Sequence, residues 1–349
     1  MRRFRSCLFC LALLVATGCG LAGPGPRPEP PVAMEFLIQP PATAPVPGPK
    51  AATPRPAPVH PAPARPVGPR PAPPPASVRR MDADLHRVVE TTLGDQAEHY
   101  GVVVLRLSDG RSAQINPDNV FYAASLFKLP VMVEVYHQAA IGALTMDELL
   151  VVTEGAAEYD LGTLSHEVGE AVPISQLLEE TITYSDNVAA IVLLGRVGAA
   201  NADETLAALG LDHTSVQTDD IPTTAADMAR LLELLGRGQV VDPVSSEAML
   251  ALMRRQGIND RIPEGLPAGV PVAHKTGNWD NATHDVSVVF APHGAYVLAV
   301  LSDLPWVNEG IIDLSRALYR YFEGLPSPAA ITSVTPRLTG TPLPEGGRG

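Results

Sequence analysis

Cysteine is missing from most of this chain. Three occur in 349 residues, at Cys7, Cys10 and Cys19, and none follows. That absence excludes a disulfide framework, a thiolate nucleophile and a Cys-ligated metal from everything downstream. Positive charge is scarce as well, and unevenly spread. Residues 1–80 carry 10 Lys and Arg against 2 Asp and Glu, whereas the remainder carries 15 against 36. A body so acidic excludes nucleic acid as a partner, because phosphate binding needs a cationic face. Long apolar runs are absent too: Ser6 to Ala16 is too short to span a bilayer. The nine histidines show no H-x-H or H-x-x-x-H spacing. No metal site and no cofactor is expected on that ground.

What is abundant is proline, and its placement divides the chain. Of 36 prolines, 21 lie between Pro24 and Pro75. Each ring removes a backbone donor, so this stretch cannot form a regular helix or central strand. Residues 20–79 therefore read as a Pro-rich disordered tether, extended at ~3.1 Å per residue where it is polyproline II. Residues 325–349 turn Pro/Thr/Gly-rich again and read as a disordered tail. Residues 80–324 remain, about 245 in number, enough for one domain. At the N-terminus, Arg2, Arg3 and Arg5 precede the apolar run, which ends in Ala16-Thr17-Gly18-Cys19. This resembles a bacterial lipobox, with Ala16 in place of the more usual Leu. The resemblance implies a signal peptide over 1–19 and an acylated Cys19. It further implies an exported protein held by lipid at the outer face of a bacterial membrane, in the cell envelope.

Within 80–324 the periodicity predicts helix, strands, helices, strands, helix. A first helix is expected over 81–99, and a hairpin from 100–107 and 111–115 around Ser108-Asp109-Gly110. Helical periodicity runs over 125–140, 174–197 (with Tyr184-Ser185-Asp186-Asn187 inside or interrupting it), 225–235 and 246–254; strands are expected over 270–276, 286–291 and 296–302, with a closing helix over 310–321. The fold class that follows is α/β of the α+β kind. An antiparallel sheet is flanked by the N- and C-terminal helices, with an all-helical subdomain inserted.

Three short motifs occur in order: Ser125-Leu126-Phe127-Lys128, Ser185-Asp186-Asn187 and Lys275-Thr276-Gly277. A serine hydroxyl is a poor nucleophile without a base beside it. On a helix, positions i and i+3 share a face, so Lys128 can reach Ser125. A neutral lysine could take that proton if burial or neighbouring cations lower its pKa, and Lys275 would be one such cation. Ser125 at a helix start directs backbone N–H groups toward developing negative charge. Asn278 N–H on the following strand edge is the expected second donor of an oxyanion hole. Gly277 would let a substrate backbone approach.

The trio is the signature of class A β-lactamases and penicillin-binding serine hydrolases, and this sequence is similar to that family over nearly all of residues 80–324. The resemblance implies a fold of the β-lactamase/transpeptidase type and an acyl-enzyme formed through Ser125. It implies that Ser185 passes a proton to the leaving nitrogen and that Asn187 binds the Lys128 amine and a substrate carbonyl. Lys275 and Thr276 would hold a substrate carboxylate, and Asp186 would be structural. Substrates would be β-lactams or D-Ala-D-Ala-like peptides, and a monomer is expected. One departure stands out. The family's omega-loop glutamate, in E-x-x-x-N, has no counterpart in Leu211 to Pro222. Asp219 or Asp220 could substitute, yet they read more simply as turn carboxylates near a helix start. Without a water-activating base, deacylation should lag.

Other residues divide between functional and structural readings. His274 adjoins Lys275 on a strand and should face the other way. His284 and Asp285 read either as a far rim of the cleft or as a hydrogen-bonded pair. Tyr159 and Trp279 read either as substrate contacts or as ordinary loop and strand-end packing. Three functions stay open: a slow β-lactamase, a D-alanyl peptidase or esterase, and a non-catalytic wall-binding lipoprotein.

Overall fold

The computed structural model describes residues 78–326. The expected leader, Cys19 and nearly all of the expected tether and tail lie outside the described residues.

The described chain opens with β1 (Arg80–Met81) and helix α1 (Ala83–Leu93). Asp82 caps α1 by accepting from Asp84 N and Leu85 N, and Leu85, Val89 and Leu93 recur every four residues on its buried face. Gly94, at φ 54°, ends the helix, so the expected run to His99 finishes as a 3-10 turn. Strands β2 (Tyr100–Arg106), β3 (Arg111–Ile115) and β4 (Val120–Tyr122) follow. Next come α2 (Lys128–Ala140), β5 (Leu149–Val151), the short α3 (Glu154–Ala157), β6 (Ala171–Pro173) and α4 (Ile174–Glu179).

The helix expected over 174–197 is broken in the middle. Residues Glu180–Tyr184 form a π turn, Ser185 adopts a left-handed φ of 60°, and Asp186 caps a new helix by accepting from Ala189 N. That helix is α5 (Asn187–Val197), and Gly198, at φ 84°, separates it from α6 (Ala199–Leu209), which the sequence did not signal. The chain closes with β7 (Pro222–Thr224), α7 (Ala225–Gly236), α8 (Pro243–Met253), β8 (Val272–Trp279), β9 (Ala282–Val289), β10 (Tyr296–Ser302) and α9 (Glu309–Phe322).

Six strands form one sheet in the order β1-β3-β2-β10-β9-β8. Every pair is antiparallel except β1 with β3, so the sheet is mixed at that edge. Both faces are buried, as the strand sequences require: Val102 and Val104 face α1 and α9, whereas Val103 and Leu105 face the helical lobe. Each such side chain contributes about 1.5–3 kcal/mol by leaving water. β8 is the outer strand beside the helical lobe, with one edge unpaired. A two-stranded ribbon of β4 and β7 ties the segment before Ser125 to the loop that ends at Ile221. No helix among the described residues is long and apolar enough to cross a membrane.

Candidate active site

The candidate nucleophile, Ser125, sits in a strained turn. Ala124 holds φ 46°, a left-handed value that costs a residue with a Cβ about 1–3 kcal/mol. Surrounding hydrogen bonds maintain it: Ala123 N donates to Ile221 O at 2.9 Å and Leu126 N to Ala123 O at 3.0 Å. Ser125 then lies in a 3-10 turn, Ala124–Phe127, that runs directly into α2. Lys128 is the first residue of that helix and is fully buried. Its Nζ lies 3.1 Å from Ser125 Oγ and 3.2 Å from Ser185 Oγ. The same amine donates to Ser185 O at 2.7 Å and to Asn187 Oδ1 at 2.6 Å. Burial pushes its pKa down to about 7, with Asp186 acting in the opposite direction.

The left-handed Ser185 turns its hydroxyl toward the sheet as well. Lys275 Nζ donates to Ser185 Oγ at 2.8 Å and to Thr276 O at 2.9 Å. This second amine is also fully buried and is held well below the usual lysine range. Desolvation is the main cause and the charge of Lys128 adds to it, while Asp285 opposes. Lys128 and Lys275 are the only lysines among residues 78–326. Ser125, Lys128, Ser185, Asn187 and Lys275 thus form one connected set drawn from three separate segments.

The backbone of β8 supplies the other wall. Phe290 N donates to Pro271 O, which sets the alternation of the β8–β9 ladder. By that alternation Thr276 and Asn278 occupy non-hydrogen-bonded positions opposite Asp285 and Thr283. Their N–H and C=O groups therefore point to the free edge, which brings Asn278 N–H to the cleft. Gly277 also has a packing reason to lack a side chain. A Cβ there would lie 3.1 Å from Ala123 O and 3.3 Å from Leu126 Cγ. The glycine admits the Ser125 turn against the strand.

Arg261 carried no signal in the sequence, since it stands alone in a loop. It is 1% exposed, behind β8. Its guanidinium donates to Asn278 Oδ1 at 2.7 Å, Asn308 Oδ1 at 2.9 Å and His284 O at 3.3 Å. His274 faces away from the nucleophile as expected, with Nδ1 3.0 Å from Asp285 Oδ1 and Nε2 3.2 Å from Asn259 Oδ1. Asp285 is thus paired with His274 rather than with its chain neighbour His284, because adjacent strand residues face opposite ways. Asp186 serves as a helix cap, in keeping with a structural role. Trp279 packs against Tyr122, ring centroids 5.9 Å apart. Asp219 and Asp220 are exposed on the loop before β7, where Asp219 is near enough to Tyr159 to help burial raise that phenol. No group of three or more metal-binding side chains occurs among the described residues.

The domain is similar to known proteins in sequence and fold. Residues 83–322 match the β-lactamase enzyme family. The extended-spectrum β-lactamase PER-1 of Pseudomonas aeruginosa is 25% identical over 267 residues, covering 68% of this chain and 87% of that protein. A β-lactamase of Mycobacterium tuberculosis is 28% identical over 223 residues, covering 58% and 72%. Among solved structures, PBP-A superposes with a TM-score of 0.67 at 29% identity, over 71% of this chain and 98% of its own. A mutant of PBP-A, solved as an acyl-enzyme complex with penicillin G, superposes with the same TM-score of 0.67 at 28% identity, over 72% and 100%. With the family matched across almost the whole described domain, the chain belongs to the β-lactamase enzyme family and is a hydrolase of the serine β-lactamase type.

Proposed function

We propose that Ser125 opens β-lactams to a covalent acyl-enzyme that forms readily and hydrolyses slowly. One observation carries this reading: an amine lowered to about 7 stands 3.1 Å from the serine hydroxyl and is linked through Ser185 to a second buried amine.

The steps follow from the geometry. Neutral Lys128 takes the proton of Ser125 as Oγ attacks the lactam carbonyl carbon. The oxyanion rests between Ser125 N–H, which has no helical acceptor so early in its turn, and Asn278 N–H on the strand edge. As the C–N bond breaks, the proton on Lys128 passes through Ser185 Oγ to the leaving nitrogen. Ser185 can relay because its hydroxyl lies within 3.2 Å of Lys128 and 2.8 Å of Lys275. Asn187 holds the Lys128 amine. Lys275 and Thr276 receive the substrate carboxylate, and the Arg261 guanidinium adds a positive charge from behind the strand.

Deacylation needs a base beside the ester, and the segment from Leu211 to Pro222 offers no glutamate. PBP-A, by its name a penicillin-binding protein, supports a second reading on the same scaffold: a peptidase or esterase acting on D-Ala-D-Ala-like or other acyl groups. The lipobox-like leader supports anchoring through an acylated Cys19 at the outer face of a bacterial membrane, with the Pro-rich segment as a spacer. A non-catalytic wall-binding role has little support beside an intact acylation set.

Time-resolved intact mass spectrometry with penicillin G tests the reading. The Ser125 peptide should gain the mass of the drug within seconds and keep it for minutes or longer. An unlabelled Ser125 would refute acylation, whereas rapid multiple turnover would refute slow deacylation.

A further inference from the structure

His284 takes no part in the steps above, yet it is completely buried at the junction of the two cleft walls. It lies on β9 directly opposite Gly277 of β8. Its ring nitrogens have different and definite partners. Ser302 N lies 3.1 Å from Nδ1, and a backbone amide can only donate, so Nδ1 is a bare acceptor. Tyr122 O lies 2.9 Å from Nε2, and a carbonyl can only accept, so Nε2 carries the hydrogen. Both contacts together require a neutral ring in one tautomer. Burial keeps it neutral by lowering its pKa to about 4, and the charge of Arg261 acts in the same direction.

The ring is packed as tightly as it is bonded. Phe121 meets it edge-on with centroids 6.0 Å apart, and its Cδ2 lies 3.3 Å from where a Cβ on Gly277 would stand. Tyr122 ends β4, and Ser125 follows three residues later. An oxyanion hole made of Ser125 N–H and Asn278 N–H works only at a fixed separation of the two amides. Those amides belong to different segments: Asn278 is held through β8 to β9, and Ser125 is reached from β4. His284 is the side chain that bonds β9 to the end of β4.

We infer that His284 is a positioning residue that sets the spacing of the oxyanion hole by donating to Tyr122 O from the strand paired with Gly277. The inference rests on the acylation of Ser125 proposed above.

Two substitutions in the full chain test it. His284→Phe keeps a ring and removes both hydrogen bonds; His284→Gln can restore both, with one amide nitrogen and one oxygen. In stopped-flow acylation by penicillin G, the rate constant should fall about 10- to 100-fold in His284→Phe, while the dissociation constant before acylation changes less than about twofold. His284→Gln should recover to within about fivefold of wild type. A phenylboronic acid, which becomes tetrahedral on a nucleophilic serine, should lose affinity in step with the acylation rate. Acylation of His284→Phe at the wild-type rate overturns the inference, and so does an equal loss in both variants. Should His284→Phe not fold, nitrogen-15 shifts of the wild-type imidazole near neutral pH decide. A protonated Nε2 with bare Nδ1 supports the inference; the other tautomer or an imidazolium overturns it. Wild type that acquires no label defeats the proposed function, whereas normal wild-type labelling with an unaffected His284→Phe defeats this inference alone.

Discussion

The two walls of the cleft each present one buried lysine, and the two are set differently. Lys128, on the helical wall, is surrounded by acceptors: a carbonyl, an amide oxygen and two hydroxyls. Lys275, on the strand wall, has one hydroxyl and one carbonyl. Desolvation is the leading cause of the lowered pKa in both. For Lys128 the charged neighbour is Asp186, which resists the shift; for Lys275 the first charged neighbour is Lys128, which deepens it. The sequence reading named the Lys275 charge as one source of a neutral Lys128. In the structure burial is the first cause, so the helical wall itself lowers this amine. On the strand wall the lasting positive charge is the Arg261 guanidinium behind β8, which itself helps to lower Lys275.

Substitutions can break this contrast. The largest effect is expected on the helical wall: Lys128→Met should lower the acylation rate by at least about 1000-fold, read by covalent labelling. The same variant tests the physical cause. Between about 7 and 10.5 the unfolded chain holds a proton on Lys128 that the folded chain has lost. Burial of this amine therefore costs most below that window, and the cost is relieved as pH rises through it. Denaturation measured against Lys128→Met should show wild type gaining up to about 1.4 kcal/mol per pH unit across the window. In wild type, acylation itself should rise with pH through about 7. A flat profile there would place the base elsewhere. Ser185→Ala, which severs the link between the walls, should slow acylation by about 10- to 100-fold. Arg261→Met should act mainly on binding, weakening it about 10-fold while changing kcat less than about threefold. A larger kcat loss would mean that the guanidinium serves the transition state as well.

Much of the domain was legible because its signals are local. The Ser125/Lys128 spacing, the hairpin turn and the continuous apolar run of β10 each lie within a few neighbouring residues. What was hidden depends on contacts distant in sequence or on backbone sign. The break at Ser185 arises from a left-handed residue with an ordinary side chain, which periodicity does not register. Helix α6 begins just past Gly198 with no capping side chain to mark it. Arg261 is bonded to partners 17 to 47 residues away, so no window of sequence displays it, and His284 stands out in the sequence without its partner Tyr122, 162 residues away. Gly277 stands out within its motif, but the turn it accommodates lies 154 residues earlier in the chain, at Ala123.

The rarity of lysine has a practical side. With both amines of residues 78–326 enclosed in the cleft, the outer surface of the domain offers no lysine to an amine-directed reagent. Chemical fixation, acetylation or cross-linking of the folded body must therefore pass through the substrate's own doorway. Protection of those two side chains by a bound drug would report occupancy without any chromogenic substrate.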